Sequence, residues 1–236
     1  MSMEVLKAKS EISAARKRLK EIGADAADPA VIALLKRKRL WPGKAFGDQV
    51  KSWDVYKTID FICGSLKKDA SVLDLGAFCC EVLPALYKTG FVNLTGVDLN
   101  PELPSMPYND EIRYVVGNFL ETSLADESFD AITAISVIEH GYRPETLLAE
   151  VSRLLKPGGY FLASLDYWPE KIDTSGVEVF GLDWLIFSRD DMKALFKTAG
   201  QFGLEPVGDL DFEAGDALIS WQSRSYTFAW IALRKR

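Results

Sequence analysis

Apolar positions along this chain follow two periods. From Ser71 onward, short apolar runs of strand length alternate with stretches of helical period. The runs at 71–75, 93–98, 112–116, 129–136, 159–165, 204–209 and 226–233 predict seven strands, bounded by Gly, Pro, Asn and Asp. Helices are predicted at about 80–89, 101–107 (short and Pro-rich), 144–155 and 189–200, the last with Ser188 as its cap. Strands alternating with helices imply a parallel sheet with right-handed crossovers. No helical stretch separates the last two strands, which predicts an antiparallel pair at the edge. The fold class expected is therefore α/β: a doubly wound, mostly parallel seven-stranded sheet with an antiparallel C-terminal hairpin, plus N-terminal helices.

The first 66 residues read differently. Val5, Ala8, Ile12, Ala15, Leu19 and Ile22 recur at spacings of three and four, which predicts a helix from Met3 to about Ile22. The stripe suits packing on its own domain or pairing with a second copy, a homodimer through the N-terminal helix. A second helix is predicted from Pro29 to Leu40, capped by Asp28, and a third from Val50 to Leu66. The expected division is a basic helical extension over residues 1–45 and one α/β domain over 46–236.

Composition narrows the function. The 236 residues are 48% hydrophobic and 26% charged, enough for one sizeable core. No apolar run reaches the length of a membrane span, and the N-terminus lacks a secretory pattern. Three cysteines, two adjacent, make neither a disulfide framework nor a zinc spacing, so no metal is expected and a cytoplasmic setting is. Residues 1–44 carry a net charge of +6 and the remainder −12. An acidic catalytic domain disfavours nucleic acid as a partner.

The chemistry concentrates at two strand ends. Val72 to Leu75 ends in Asp74 and Gly76, where a strand turns toward a helix, and about twenty residues on Val97 leads into Asp98. In a strand–turn–helix–strand unit the glycine admits a ligand to the backbone and the second carboxylate meets a ribose. The phosphate-binding pattern G-x-G-x-x-G is missing: Phe78 and Cys80 stand where further glycines belong. A ligand with ribose and adenine but no pyrophosphate fits better, and S-adenosylmethionine is such a ligand. A nicotinamide dehydrogenase would need the absent glycines.

The succession VLDLGAFCC, LTGVDLN, YVVGNFLETSLADESFDAITAISVIEH, LLAEVSRLLKPGGYFLAS and YTFAWIALRK resembles a class I (seven-stranded) S-adenosylmethionine-dependent methyltransferase over residues 50 to 236. The resemblance implies that Asp74 anchors the methionine ammonium and that Gly76, Ala77 and Phe78 pass close to the cofactor. It implies that Asp98, followed by Leu99, takes the ribose hydroxyls, that Asn118 and Phe119 hold the adenine, and that Ser136 and Val137 lie along the cofactor.

His140 is the only histidine and is expected at a strand end near the methyl group, as a base for a hydroxyl acceptor. Asp166 is the second candidate base. Glu139, Tyr167, Trp168, Asp183 and Trp184 are expected to line the acceptor site, because aromatics beside carboxylates suit saccharide and other small-molecule hydroxyls. The function expected is O-methylation of a small-molecule or glycan hydroxyl. N-methylation and a non-catalytic scaffold stand as alternatives.

Overall fold

A computed structural model of the chain describes residues 1–26, 32–33, 36–37 and 48–236. The elements are β1 (Met3–Val5), α1 (Lys9–Glu21), α2 (Ser52–Ser65), β2 (Ser71–Leu75), α3 (Val82–Lys88), β3 (Asn93–Asp98), β4 (Arg113–Val116), β5 (Phe129–Ile135), α4 (Pro144–Leu154), β6 (Leu155–Tyr167), β7 (Glu178–Val179), β8 (Leu182–Asp183), α5 (Arg189–Gln201), β9 (Leu204–Pro206), β10 (Ile219–Trp221) and β11 (Arg224–Lys235). One-turn 3₁₀ helices at Gln49–Lys51 and Leu103–Ser105 complete the set.

The main sheet runs β1-β11-β6-β5-β2-β3-β4. The pairs β4–β3, β3–β2, β2–β5 and β5–β6 are parallel, and β11 joins β6 antiparallel. This is the mostly parallel, doubly wound sheet expected. The outer edge of β11 is shared in turn by β9, β1 and β10, all antiparallel. One core cluster packs α1, α2 and α3 on one face through Leu19, Ile59, Ile62 and Leu83. The other packs α4 and α5 on the opposite face through Leu147, Val151 and Leu195. The KPGG turn is absorbed into the start of β6, where the pairing with β5 shifts register.

The N-terminus corrects one expectation. Met3–Val5 is a strand, and the helix begins only at Lys9. Met-Glu-Val also alternates with period two, and the long β11 offers free backbone partners at Ala229 and Ile231. The Glu11 carboxylate then accepts the Lys7 and Ala8 N–H groups at 3.0 and 2.9 Å, starting the helix there. Ala15 and Leu19 of the stripe are buried in the core shared with α2, so the face suited to a partner copy is used within the chain.

The second expected helix lies largely outside the described residues; 32–33 and 36–37 are helical. Arg16, buried in α1, donates to both carboxylate oxygens of Glu81 at 2.8 and 2.9 Å and to Ser52 Oγ at 2.9 Å. Glu81 caps α3, so this bidentate pair fastens the N-terminal helix to the loop that follows β2. Among the described residues, no helix is long and apolar enough to cross a membrane.

Candidate active site

The loop after β2 folds back on β3. The N–H groups of Gly76 and Ala77 both donate to Val97 O, at 2.9 and 3.2 Å. Phe78 N–H donates to Asp98 Oδ2 at 3.0 Å, and Cys79 N–H meets Met106 Sδ at 3.4 Å. Four successive amides are thereby spent inside the chain, and none is left to cradle a pyrophosphate. This is the physical reason behind the missing glycines. Gly76 itself is needed: its φ is +71°, and an added Cβ would stand 2.4 Å from Val137 Cγ2.

Asp98 accepts Phe78 N–H on one oxygen and Asn100 N–H on the other, at 3.0 and 2.8 Å. A carboxylate has about four acceptor positions, so each oxygen keeps one for a ribose hydroxyl. Asp74 is fully buried at the end of β2. Thr133 Oγ1 donates to its Oδ1 at 2.6 Å, while Oδ2 has no partner. Burial lifts its pKa to about 7, against which the Thr133 hydrogen bond works. An unpartnered buried acceptor suits an ammonium ligand.

A cleft of about 650 Å³ opens at the carboxyl edge of the sheet. Leu99, Asn118 and Phe119 line one side, His140 and Asp183 the other. Leu99 is 61% exposed. Asn118 Oδ1 already accepts Leu120 N–H at 3.0 Å, which fixes the turn after β4. These residues and the Asp74 orphan oxygen fit a ribose, an adenine and an ammonium, the parts of S-adenosylmethionine.

The acceptor candidates divide. Glu139 and Asp166 are buried, 1% and 4% exposed, at the tips of β5 and β6. Trp184 is buried beside them and its Nε1–H donates to Asp166 Oδ2 at 2.9 Å. Tyr226 also hydrogen-bonds Asp166. Glu139 Oε2 has no partner. Burial raises the pKa of both carboxyls, and each charge raises the need of the other to hold a proton.

Tyr167 follows Asp166 on the strand and so faces the opposite side of the sheet, its hydroxyl donating to Phe212 O at 2.7 Å. Trp168 is half-buried after the strand, and Asp183 is exposed on β8. His140 lines the cleft with its ring edge-on to Phe180 at 5.4 Å. Its Nδ1 is buried without a partner, and burial and Lys51 lower its pKa to about 4. It is neutral at pH 7 and a weak base there.

Four residues joined here carried no motif. Lys51 ends the turn before α2; its ammonium donates to Ser136 Oγ and stands 3.7 Å from the centre of the Phe228 ring. Ser136 takes a left-handed φ of +52°, which turns the chain at the tip of β5 and presents its hydroxyl. Asp54, one turn on from Lys51, is fully buried, accepts Ser164 Oγ–H at 2.9 Å and has its pKa raised to about 6 by burial. Tyr226 and Phe228 come from β11, where Phe228 lies directly opposite Asp166. The sequence signal was slight: a carboxylate between Trp53 and Val55 on a buried helix, and alternation within YTF.

Comparison with known proteins agrees with this geometry. Residues 73–163 match the family described as a methyltransferase domain. The chain is 28% identical over 131 residues to a sterol 24-C-methyltransferase of Neurospora crassa, covering 52% of this chain and 34% of that protein. It is 32% identical over 127 residues to a ubiquinone/menaquinone biosynthesis C-methyltransferase of Nitrobacter hamburgensis, covering 50% of this chain and 44% of that protein. The chain thus spans less than half the length of either relative. Geranyl diphosphate C-methyltransferase from Streptomyces coelicolor, solved with S-adenosyl-L-homocysteine, superposes with a TM-score of 0.54 at 17% identity, over 76% of this chain and 79% of that one. The match, the sheet order and the spent loop amides agree, and the chain belongs to the class I, S-adenosylmethionine-dependent methyltransferases.

Proposed function

We propose that the chain transfers a methyl group from S-adenosylmethionine to a small-molecule acceptor that gives up a proton, with Glu139 and Asp166 as the acid-base pair. The bound cofactor supplies an electrophilic methyl on a sulfonium, so the protein's task is binding, orientation and proton handling. In this reading Asp98 holds the ribose and Asn118 with Phe119 the adenine. Asp74 meets the methionine ammonium, which would return its carboxyl to the ionised form. Ser136 and Val137 run along the cofactor, with Val137 covering Gly76.

The observation that carries the reading is Glu139 Oε2, buried without a partner at the tip of β5. A free, desolvated carboxylate oxygen beside the cofactor edge is equipped to receive a proton from an attacking hydroxyl or amine. The role of base passes from His140, whose lowered pKa makes it a poor match to pH 7, to the carboxyl pair. A small-molecule hydroxyl, phenolic or saccharide, remains within this reading. A cytoplasmic setting finds support in the three free cysteines.

The test is a panel of phenols, sugars and amines incubated with methyl-labelled cofactor, run with Glu139→Gln beside it. Label on an acceptor, lost in Glu139→Gln while cofactor binding persists, supports the reading. Equal labelling by the variant overturns the role of Glu139.

A further inference from the structure

Lys51 sits in an unusual place. Its ammonium is flanked by the faces of Phe228, Tyr226 and Trp184, with Phe228 at 3.7 Å and the Trp184 and Tyr226 rings 5.7 Å apart. Asp54, Glu139 and Asp166 all act on it or are acted on by it. Yet among the described residues none of the three carboxylates closes an ion pair of 4.0 Å or less with it. Its hydrogen bond goes to a neutral hydroxyl, Ser136 Oγ. One cation therefore serves three buried carboxyls, and an oxygen of one of them, Glu139 Oε2, is unpartnered.

Burying acidic groups is costly unless a cation or donor satisfies them. Aromatic faces around a carboxylate floor form a chamber for ammonium, because ring faces and carboxylates attract the same charge. Lys51 lends its own ammonium to that chamber. Its stem enters from the 3₁₀ turn ahead of α2, and the residue is half-buried, so it is the one wall component that reaches solvent.

We propose that the chamber walled by Trp184, Tyr226 and Phe228 and floored by Glu139 and Asp166 is the acceptor subsite for a small alkyl amine, and that the Lys51 ammonium occupies it until the acceptor displaces it. The inference rests on the acceptor reading above and narrows it to amines. An amine entering as its ammonium gives one proton to the Glu139 carboxylate. Its freed lone pair then bonds to the methyl carbon, and the carbon–sulfur bond breaks with its electron pair left on sulfur. The products are an N-methylated ammonium and the neutral thioether of the demethylated cofactor.

The experiment uses tetramethylammonium as probe and tert-butanol as its neutral counterpart, with binding to the full chain followed by calorimetry. Lys51→Met removes the internal ammonium and keeps the stem; Lys51→Gln is the second variant should the first fail to fold. Either variant should bind tetramethylammonium about tenfold more tightly than wild type, the size of one cation–ring contact released from competition. The gain should vanish when Glu139→Gln is added. Equal binding by wild type and variant, or equal binding of tert-butanol, overturns the inference. S-adenosylmethionine titrated into the same samples separates the two readings. Cofactor binding with no preference for ammonium sinks only the amine subsite, whereas loss of cofactor binding in the wild type sinks the transferase reading beneath it.

Discussion

The two halves of the site are built on opposite plans. The cofactor half uses the ends of β2, β3 and β4 and the loop that directly follows each one. Asp74, Gly76, Asp98 and Asn118 act where their own strands deliver them. The acceptor half draws on α2, β5, β6, the β7–β8 hairpin and β11, with partners from Lys51 to Phe228. The first is a set of local turns; the second is a chamber closed only when distant segments pack. Local turns leave motifs in a sequence. A chamber leaves isolated polar residues inside apolar runs.

The largest effect expected falls in the acceptor half. Glu139→Gln and Asp166→Asn should each lower turnover by about 10²–10⁴, the usual worth of general acid–base catalysis. Cofactor affinity should stay at the wild-type value, since neither residue belongs to the cofactor half. Rate against pH should rise at a pH above the ordinary carboxylate range, because burial raises both groups, and Glu139→Gln should abolish that limb. A variant that loses cofactor binding along with turnover would merge the two halves.

Asp98→Ala tests the cofactor half alone. Losing a charge-assisted hydrogen bond costs ~1.5–3 kcal/mol, or about 10- to 150-fold in Kd for S-adenosylmethionine by calorimetry. Part of that loss runs through the loop, because Asp98 also holds Phe78 N–H. Asp98→Asn, which keeps one acceptor oxygen, should fall between wild type and alanine. Unchanged affinity would move the ribose elsewhere.

The contrast explains what the sequence made legible. All seven strands from β2 to β11 that the apolar runs marked are present, with β9 and β11 antiparallel, because period and turn residues act locally. The KPGG turn was visible, though it lies within the start of β6 rather than before it. The β1 strand was read as helix because its short apolar-polar-apolar alternation gains meaning only beside β11, which is remote in sequence. Tyr167 was grouped with Asp166 by adjacency, but neighbours on a strand face opposite ways. Lys51 and Asp54 carried no local sign because their role depends on Ser136, Ser164 and Phe228. His140 was legible as a site residue, yet its charge state depends on burial that only packing creates.

A smaller effect is expected at His140. With its pKa lowered to about 4 the imidazole is already neutral across the working range. His140→Gln should therefore change turnover by less than about tenfold and leave the pH profile in place. Loss of a rising limb near pH 6.5 in this variant would restore the histidine as base and return the acceptor half to a single local motif.

The smallest effect concerns stability at the junction of the two halves. Asp74 is buried with its pKa raised to about 7 by desolvation, while the unfolded chain titrates it near the ordinary value of 3.8. Between those values the folded protein holds a proton that the unfolded chain has released. The stability that Asp74 contributes is therefore full below about pH 4 and is lost as pH rises through about 7. Asp74→Asn cannot titrate, so the melting temperature of wild type minus that of the variant should fall steadily from pH 4.5 to 7.5. The difference cancels the other buried carboxyls, Asp54, Glu139 and Asp166, which both proteins share. Saturating S-adenosylmethionine should flatten the slope, because an ammonium beside Oδ2 favours the ionised form that burial opposes. Parallel melting curves without ligand would mean that Asp74 is ionised in the free fold. A slope untouched by the cofactor would mean that the ammonium binds elsewhere.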